Sequence, residues 1–500
     1  MRGKYLTFVF CLILVTGLTS VAHAQTHVSK ICNPECMNAI TTSSASHSRT
    51  PLSFQPPIVC PSGVGQVVCE LVFDDPDDIS IILELCERGL LDPQICQSLN
   101  AQSTVIQLTA TCPLVVNYNL ARAARGCADL DRNEACYGSG QAVSIPSELF
   151  TEPVEIVDLP PVIAIEVGGY SLNAAQYSFS LLNSDADLHI GVDGGLRILM
   201  FNGVRVENAV TQAEAVLLPE EAVEVSLQET AALFDSPSEA GKQTIIAEIT
   251  TGDILLVDAV SADEEWARVL YSTETPFGEN PNAWVSTDAV MFPEDVIPDE
   301  LPRMEVDDHT PMHSFYFLPN SVPVPECTPV LGDTLLLQAP RDIETTFVAN
   351  DARVLITDTV ALHYANSDDD LELRVVNGIA VINPGTELAE VIAPGYGVRI
   401  ELADQRQNLG ADGIANDYTL AADAQWDEPF ELPLALIENM AAFETLPPEL
   451  LNQPIDAPRC GSETQGQDCD IEYDSDQDAA LVAKLCNEGL LSDELEICSE

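Results

Sequence analysis

Positive charge is what this sequence most lacks. Its 500 residues hold 20 lysines and arginines against 80 aspartates and glutamates, a formal charge of −60. Nucleic acid is excluded as a natural partner, because gripping phosphates requires cations that displace counterions. Aromatics are also few, and only three are tryptophans, so any ring-lined site must draw on residues that can be named. Beyond the first 24 residues no apolar run is long enough to span a bilayer, so no transmembrane segment is expected in the mature chain. Signatures of catalysis are missing as well. There is no G-x-S-x-G, no H-E-x-x-H and no P-loop, and no histidine lies near a candidate nucleophile. No enzyme is expected. A secreted hydrolase with paired carboxylates is left open only by the abundance of acids. The chain is nevertheless 46% hydrophobic, enough to bury several cores rather than stay disordered.

The first 24 residues read as an export signal: Arg2 and Lys4, an apolar core from Leu6 to Leu18, and the small-x-small site Ala22-His23-Ala24. Removing it takes away two cations and no acid, and makes the mature chain still more negative. Such a surface stays soluble by self-repulsion and suits salty surroundings or divalent counterions. Removal also discards Cys11 and leaves an even fourteen of the 15 cysteines. In an exported chain these read as a disulfide framework: Cys32, Cys36, Cys60, Cys69, Cys86, Cys96, Cys112, Cys127, Cys136, Cys327, Cys460, Cys469, Cys486 and Cys498. The expected location is secreted, extracellular or at the cell surface.

The strongest pattern is a repeat. Cys60, Cys69 and Cys86 recur 400 positions later as Cys460, Cys469 and Cys486, and Leu83–Leu91 (LELCERGLL) matches Ala483–Leu491 (AKLCNEGLL). Asp74 and Asp78 match Asp474 and Asp478. Apolar residues Ile79, Ile82, Leu83, Leu85 and Cys86 fall at helical spacing, with Asp77 and Asp78 at the start and Gly89 at the stop. Each copy is then a short helix that is too small to hold itself by burial and is stapled by bridges. The pairs Leu90-Leu91 and Leu490-Leu491 serve either as module core or as docking surface.

Between the repeats the pattern is mainly that of strands. IIAEI, DILLVDAV, WARVLY and AWVS, within residues 231–292, are short apolar runs separated by turn signals, as in a small barrel. With Pro237, Gly252, Trp266 and Trp284-Val285 as landmarks, this stretch resembles the bacterial Src-homology-three-like domain of secreted and cell-wall proteins. The usual Asn-Val-Arg opening is here Ala232-Leu233-Phe234. VIAIEV, QYSFSLL, LHIGV and LRILMFNGVRVENA read as strands before it. After it, TLLLQA, TTFVA, RVLIT, ALHYAN, LELRVVNGIAVIN and AEVIAPGYGVRIEL read likewise. The last two, through Val376, Gly378, Ala380 and Pro394-Gly395, resemble the FecR-like fold of envelope regulators. The element around Arg132, Asn133 and Ala135–Gly138 resembles the opening of a group of multi-domain secreted bacterial proteins.

The expected fold class is mainly β and multi-domain: sandwich or barrel domains plus a Src-homology-three-like barrel, with small disulfide-stapled helical modules at both ends. The order is signal 1–24, flexible arm 25–59, first module 60–100, helical segment 101–140, β-domain 145–215, barrel 226–293, linker 294–315, β-domain 316–425, linker with a short helix 426–459 and second module 460–500.

For function, these readings imply a secreted, non-catalytic binding protein for cell wall, glycan or a surface protein, with an envelope sensor of FecR-like type as the alternative. The candidate ligand residues are Trp266, Tyr271 and Trp284. Trp266 shares a strand face with Arg268 and Leu270 and is expected half-buried at the barrel surface. Trp284 is expected to pin core to loop, and plain core is the other reading of both. No cofactor is expected. Calcium stays open at Asp185, Asp187 and Asp193, where solvated turns are the default, and Asp474–Asp478 lacks the glycine and glutamate of a calcium loop. His309 and His313 would meet on a helical turn, but Pro311 breaks such a helix, so no metal site is expected there.

Overall fold

The computed structural model describes residues 58–59, 70–99, 105–237, 243–319, 334–365, 370–402, 425–461, 471–472 and 476–487, apart from 147, 276, 295, 306–307 and 387 within these spans. The signal, the arm, and Cys32, Cys36, Cys60, Cys69, Cys327, Cys469 and Cys498 lie outside the described residues.

The protein is mainly β, and its body is two large sheets face to face. One has eight strands, in spatial order Glu390–Ile392, Ala380–Ile382, Ala352–Ile356, Thr345–Ala349, Ser314–Pro319, Val204–Asn208, Ala164–Val167 and Ala142–Ile145. The other has nine, in the order Phe430–Glu431, Tyr396–Glu401, Asp370–Asn377, Thr359–Ala365, Thr334–Gln338, Leu196–Phe201, Phe179–Ser184, Glu134–Ser139 and Ile156–Asp158. The stretches 145–215 and 316–425, which the sequence presents as separate domains, therefore share both sheets. Leu196–Phe201 pairs with Thr334–Gln338, and Val204–Asn208 pairs with Ser314–Pro319. Strand patterning reveals faces but not partners, so this joining had no local signal.

The continuous apolar run LRILMF has a physical reason. Leu196, Ile198 and Met200 point into the core between the sheets, while Leu199 and Phe201 point to a second core under helices. Thr334–Gln338 does the same, with Leu335 and Leu337 inward and Leu336 outward. A strand covered on both faces loses the polar half of its alternation. Two tight turns carry the chain from the nine-stranded to the eight-stranded sheet: Asn202-Gly203, and Gly378 at φ +68°. A Cβ on Gly378 would come within 2.6 Å of Thr357 Oγ1, so only glycine fits.

The helical layer holds Pro76–Glu87, Cys112–Cys127 and Leu434–Met440. Asp75 caps the first of these through Asp77 N–H at 2.8 Å, and Gly89 ends it at φ +70°. The second copy of the repeat forms the helix Asp476–Asn487, displaced by the same 400 positions. The first copy packs Ile82 and Leu85 under the helical layer, whereas the second sends Val482 and Leu485 into the sandwich core. Leu91 is buried and Leu90 packs beside it, so in the first copy this pair is module core. Leu490 and Leu491 lie outside the described residues. Cys86–Cys96 and Cys127–Cys136 are disulfides, and Cys112, Cys460 and Cys486 are disulfide-bonded too.

Residues 223–291 form a seven-stranded antiparallel sheet wrapped around its own core of Val225, Leu233, Val257, Val269, Ala283 and Val285. All four runs read as strands in this unit are strands: Ile245–Ile249, Ile254–Val260, Trp266–Glu274 and Glu279–Ser286. The unit is inserted between two neighbouring strands of the eight-stranded sheet, so both of its chain connections return to one place. Among the described residues no helix is long and apolar enough to cross a membrane.

Candidate functional site

The seam between the small β unit and the sandwich is built on a loop, residues 185–192. The run LHIGV was expected as a strand, and it is not one. Its backbone groups are claimed by side chains instead of a ladder. Arg132 sends Nη1 to His189 O at 2.9 Å and Nη2 to Leu188 O at 3.0 Å and Asp185 O at 3.2 Å. From the small unit, Arg268 Nη1 and Asn282 Nδ2 both donate to Asp187 O, at 2.8 and 3.1 Å. Ile190 N–H donates to Asp258 Oδ2 at 2.8 Å. Side-chain partners of this kind compete with regular structure wherever they are plentiful.

Two clusters of charge hang on this loop. The first is a latch. Arg268 forks onto Asp258 through Nε and Nη2, both at 2.8 Å, with both side chains almost wholly buried. Burial alone would raise the Asp258 carboxyl; Arg268 first, then His189, outweigh it and hold it below the usual range. His189 is buried beside them. Gly191 N–H donates to its Nδ1 at 3.0 Å, so the proton sits on Nε2, which faces Leu256 O at 3.0 Å. Burial pushes this imidazole down to about 4, so it is neutral near pH 7.

The second cluster joins Asp187, His309 and His313. One donor atom from each lies within 4.8 Å of the other two. His309 Nδ1 is 2.8 Å from Asp187 Oδ2, and His313 Nδ1 lies against the same oxygen. The other oxygen, Oδ1, accepts from Thr310 N at 2.7 Å and Thr310 Oγ1 at 3.0 Å. Burial works to raise the Asp187 carboxyl, but the two imidazoles, His313 foremost, hold it well below the usual carboxylate range. His313 is only 3% exposed, and beyond the Asp187 contact of Nδ1 its Nε2 has no hydrogen-bond partner among the described residues. Ala186, Asp187 and Met312 adopt left-handed backbone at φ 48°, 57° and 59°, costly for non-glycine residues and typical of constrained sites. Pro311 does exclude a helix, but a turn brings the imidazoles together all the same, ring centroids 4.4 Å apart. A cavity of about 210 Å³ opens on Asp187, His313, Trp284 and Arg353.

Of the ligand residues expected from sequence, Trp266 and Trp284 are brought together, but inside the seam with Val216 and Met304. At 8% and 6% exposed, neither is a surface platform. The half-buried Trp266 expected at the barrel surface is corrected: the face it shares with Arg268 is covered by Met304, Val216 and the loop at Asp187. Tyr271 stays partly exposed and packs against the core of the small unit. In the sequence Asp187 is one acid among several in loops, and His309 and His313 are a pair split by Pro311. A separation of more than 120 positions carries no spacing signal. Elsewhere, a larger cleft of about 770 Å³ holds Asp358, whose carboxyl burial pushes up to about 6. Its oxygens are engaged by Thr359 and Asn377 at 2.7 and 2.6 Å.

Comparison with protein-family models, with curated proteins and with solved structures gives no match.

Proposed function

We propose that the protein is a secreted, non-catalytic binding protein that engages a surface partner through the open face of its small β unit, the part that resembles a Src-homology-three-like domain. One observation carries this reading. Opposite cross-strand partners place Ile254 and Met291 on either side of Ser226, and both are largely exposed, at 67% and 55%. With Phe292 and Pro293 they line a shallow apolar cleft of about 340 Å³, rimmed by Glu224 and Glu294. Exposed aliphatic side chains grouped in a cleft are a recognised mark of interaction sites. The tryptophans that would stack on a sugar are buried in the seam. An aliphatic floor with an acidic rim favours an apolar protein segment flanked by Lys or Arg over a glycan.

The test is retention of the mature protein on whole cells, protease-treated cells and cell-wall sacculi, compared with an Ile254→Asp, Met291→Asp variant. Retention that is lost on protease treatment and falls at least about tenfold in the variant, with unfolding unchanged to within about 0.5 kcal/mol, supports the reading. Equal retention by both proteins overturns it.

A further inference from the structure

We propose that Asp187, His309 and His313 bind a borderline divalent transition-metal ion of the zinc class, with a coordination position left open toward the seam cavity. The donor set comes first. Two imidazoles and one carboxylate suit zinc, iron, cobalt, nickel or copper, whereas calcium and magnesium prefer all-oxygen shells. The state of the donors comes second. His313 is a buried imidazole whose Nδ1 faces Asp187 Oδ2 and whose Nε2 has no hydrogen-bond partner among the described residues, so the ring is already turned onto the shared carboxylate oxygen beside which an ion would sit. Asp187 shows the complementary arrangement. Thr310 fixes Oδ1 with its N–H and its hydroxyl and leaves Oδ2 to the two histidines, as outer-shell partners orient a metal-binding carboxylate.

Rigidity is the third argument. The Asp187 carbonyl is held by Arg268 and Asn282, and Arg132 holds the loop from the other side. The histidines sit on a turn tied to the sandwich, where Met312 N–H donates to Asn208 Oδ1 at 3.1 Å. Donors around a tetrahedral zinc stand about 3.3 Å apart, from metal–ligand bonds of about 2.0 Å. His309 Nδ1 and Asp187 Oδ2 are 2.8 Å apart and His313 Nδ1 is closer still, so loading the ion requires the donors to move apart by at least about half an ångström. Three protein ligands beside a cavity leave room for water or an exogenous ligand, the arrangement of an open site rather than a closed structural one.

This inference does not depend on the open face of the small unit. Its test is calorimetric titration of the chelator-treated mature chain with zinc chloride, in excess magnesium and calcium to occupy the acidic surface. One saturating site per chain is expected, weakened at least about tenfold by His309→Ala or His313→Ala and abolished by the pair. A site built on other histidines, such as His27 or His47, would survive the double substitution. Should the variants fold poorly, as read by tryptophan fluorescence, cobalt(II) on the wild-type chain decides. A visible d–d band of four- or five-coordinate nitrogen–oxygen ligation, bleached by zinc, supports the site. Absence of saturable zinc binding, zinc affinity unchanged in a folded double variant, or a cobalt spectrum no different from aqueous ion overturns it.

Discussion

The two charge clusters of the seam share one loop and follow opposite rules. In the latch, charges and polar groups are matched: Arg268 forks onto Asp258, His189 is neutral with both nitrogens hydrogen-bonded, and Asp258 also takes the Ile190 N–H. In the Asp187 cluster, two imidazoles crowd one carboxylate oxygen, and the buried His313 keeps Nε2 without a hydrogen-bond partner among the described residues. Buried polar groups are normally satisfied, so the first arrangement is what a fold builds to hold two units together. The second gathers three side chains with metal-ligating atoms at one point beside a cavity. Strain follows the same division, with left-handed non-glycine residues on both sides of the Asp187 cluster.

Removing one partner from each cluster separates them most strongly. Arg268→Ala strands the buried Asp258 charge and drops a donor to Asp187 O, and the expected loss is about 3–5 kcal/mol in urea unfolding. The double variant Arg268→Met, Asp258→Leu should recover most of that loss, because no uncompensated charge remains. A double variant as unstable as the single would mean that the seam depends on the loop contacts and not on the pair.

Protonation tests the latch from another direction. The folded pKa of His189 lies near 4, below the ordinary 6.5 of an unfolded histidine. The unfolded chain therefore binds more protons between these values. The stability contribution is whole above about pH 6.5 and is lost as pH falls toward 4, by about 3 kcal/mol. Asp358, raised to about 6, works in the opposite sense over part of the same window. The informative quantity is thus the difference between wild type and His189→Gln, measured by urea unfolding at about pH 7, 5 and 4. The wild type should lose more than the variant across the window, and parallel losses would contradict a neutral, buried His189.

The smallest effect is expected at the other cluster. His313→Phe removes one of the two imidazoles on Asp187 Oδ2 and puts an apolar ring in its place, while Asp187 keeps His309 and Thr310. Stability should fall by about 1–2 kcal/mol, less than for Arg268→Ala. A loss comparable to that of Arg268→Ala would show His313 to be structural and erase the contrast.

Much of the scaffold was legible in the sequence. The repeat placed two helices at matching positions, Pro76–Glu87 and Asp476–Asn487, and Gly89 stops the first as expected, with Asp77 and Asp78 in its first turn and Asp75 as the cap just before them. The strands of the small unit were legible because one face of each is buried and the turns between them are polar. Leu188–Val192 was not, because its apolar residues pack from a loop whose backbone is satisfied by Arg132 and Asp258, and alternation alone cannot distinguish that from a strand. Trp266 was misplaced because strand alternation says which residues share a face but not what covers it. The Asp187 cluster stayed hidden for a topological reason. The small unit is inserted between neighbouring strands, and this brings residue 187 to residues 309 and 313 across the whole length of the insertion.

The most direct test of the division into a structural cluster and a ligand-holding one is the melting temperature of wild type and His313→Phe, each with chelator and with zinc. Ligand that binds only the folded state stabilises it by about 2.7 kcal/mol at a hundredfold excess over Kd. Measured against each protein's own chelator baseline, the wild type should rise accordingly in zinc and His313→Phe by clearly less. Equal shifts in both proteins, or no shift in either, would contradict the account.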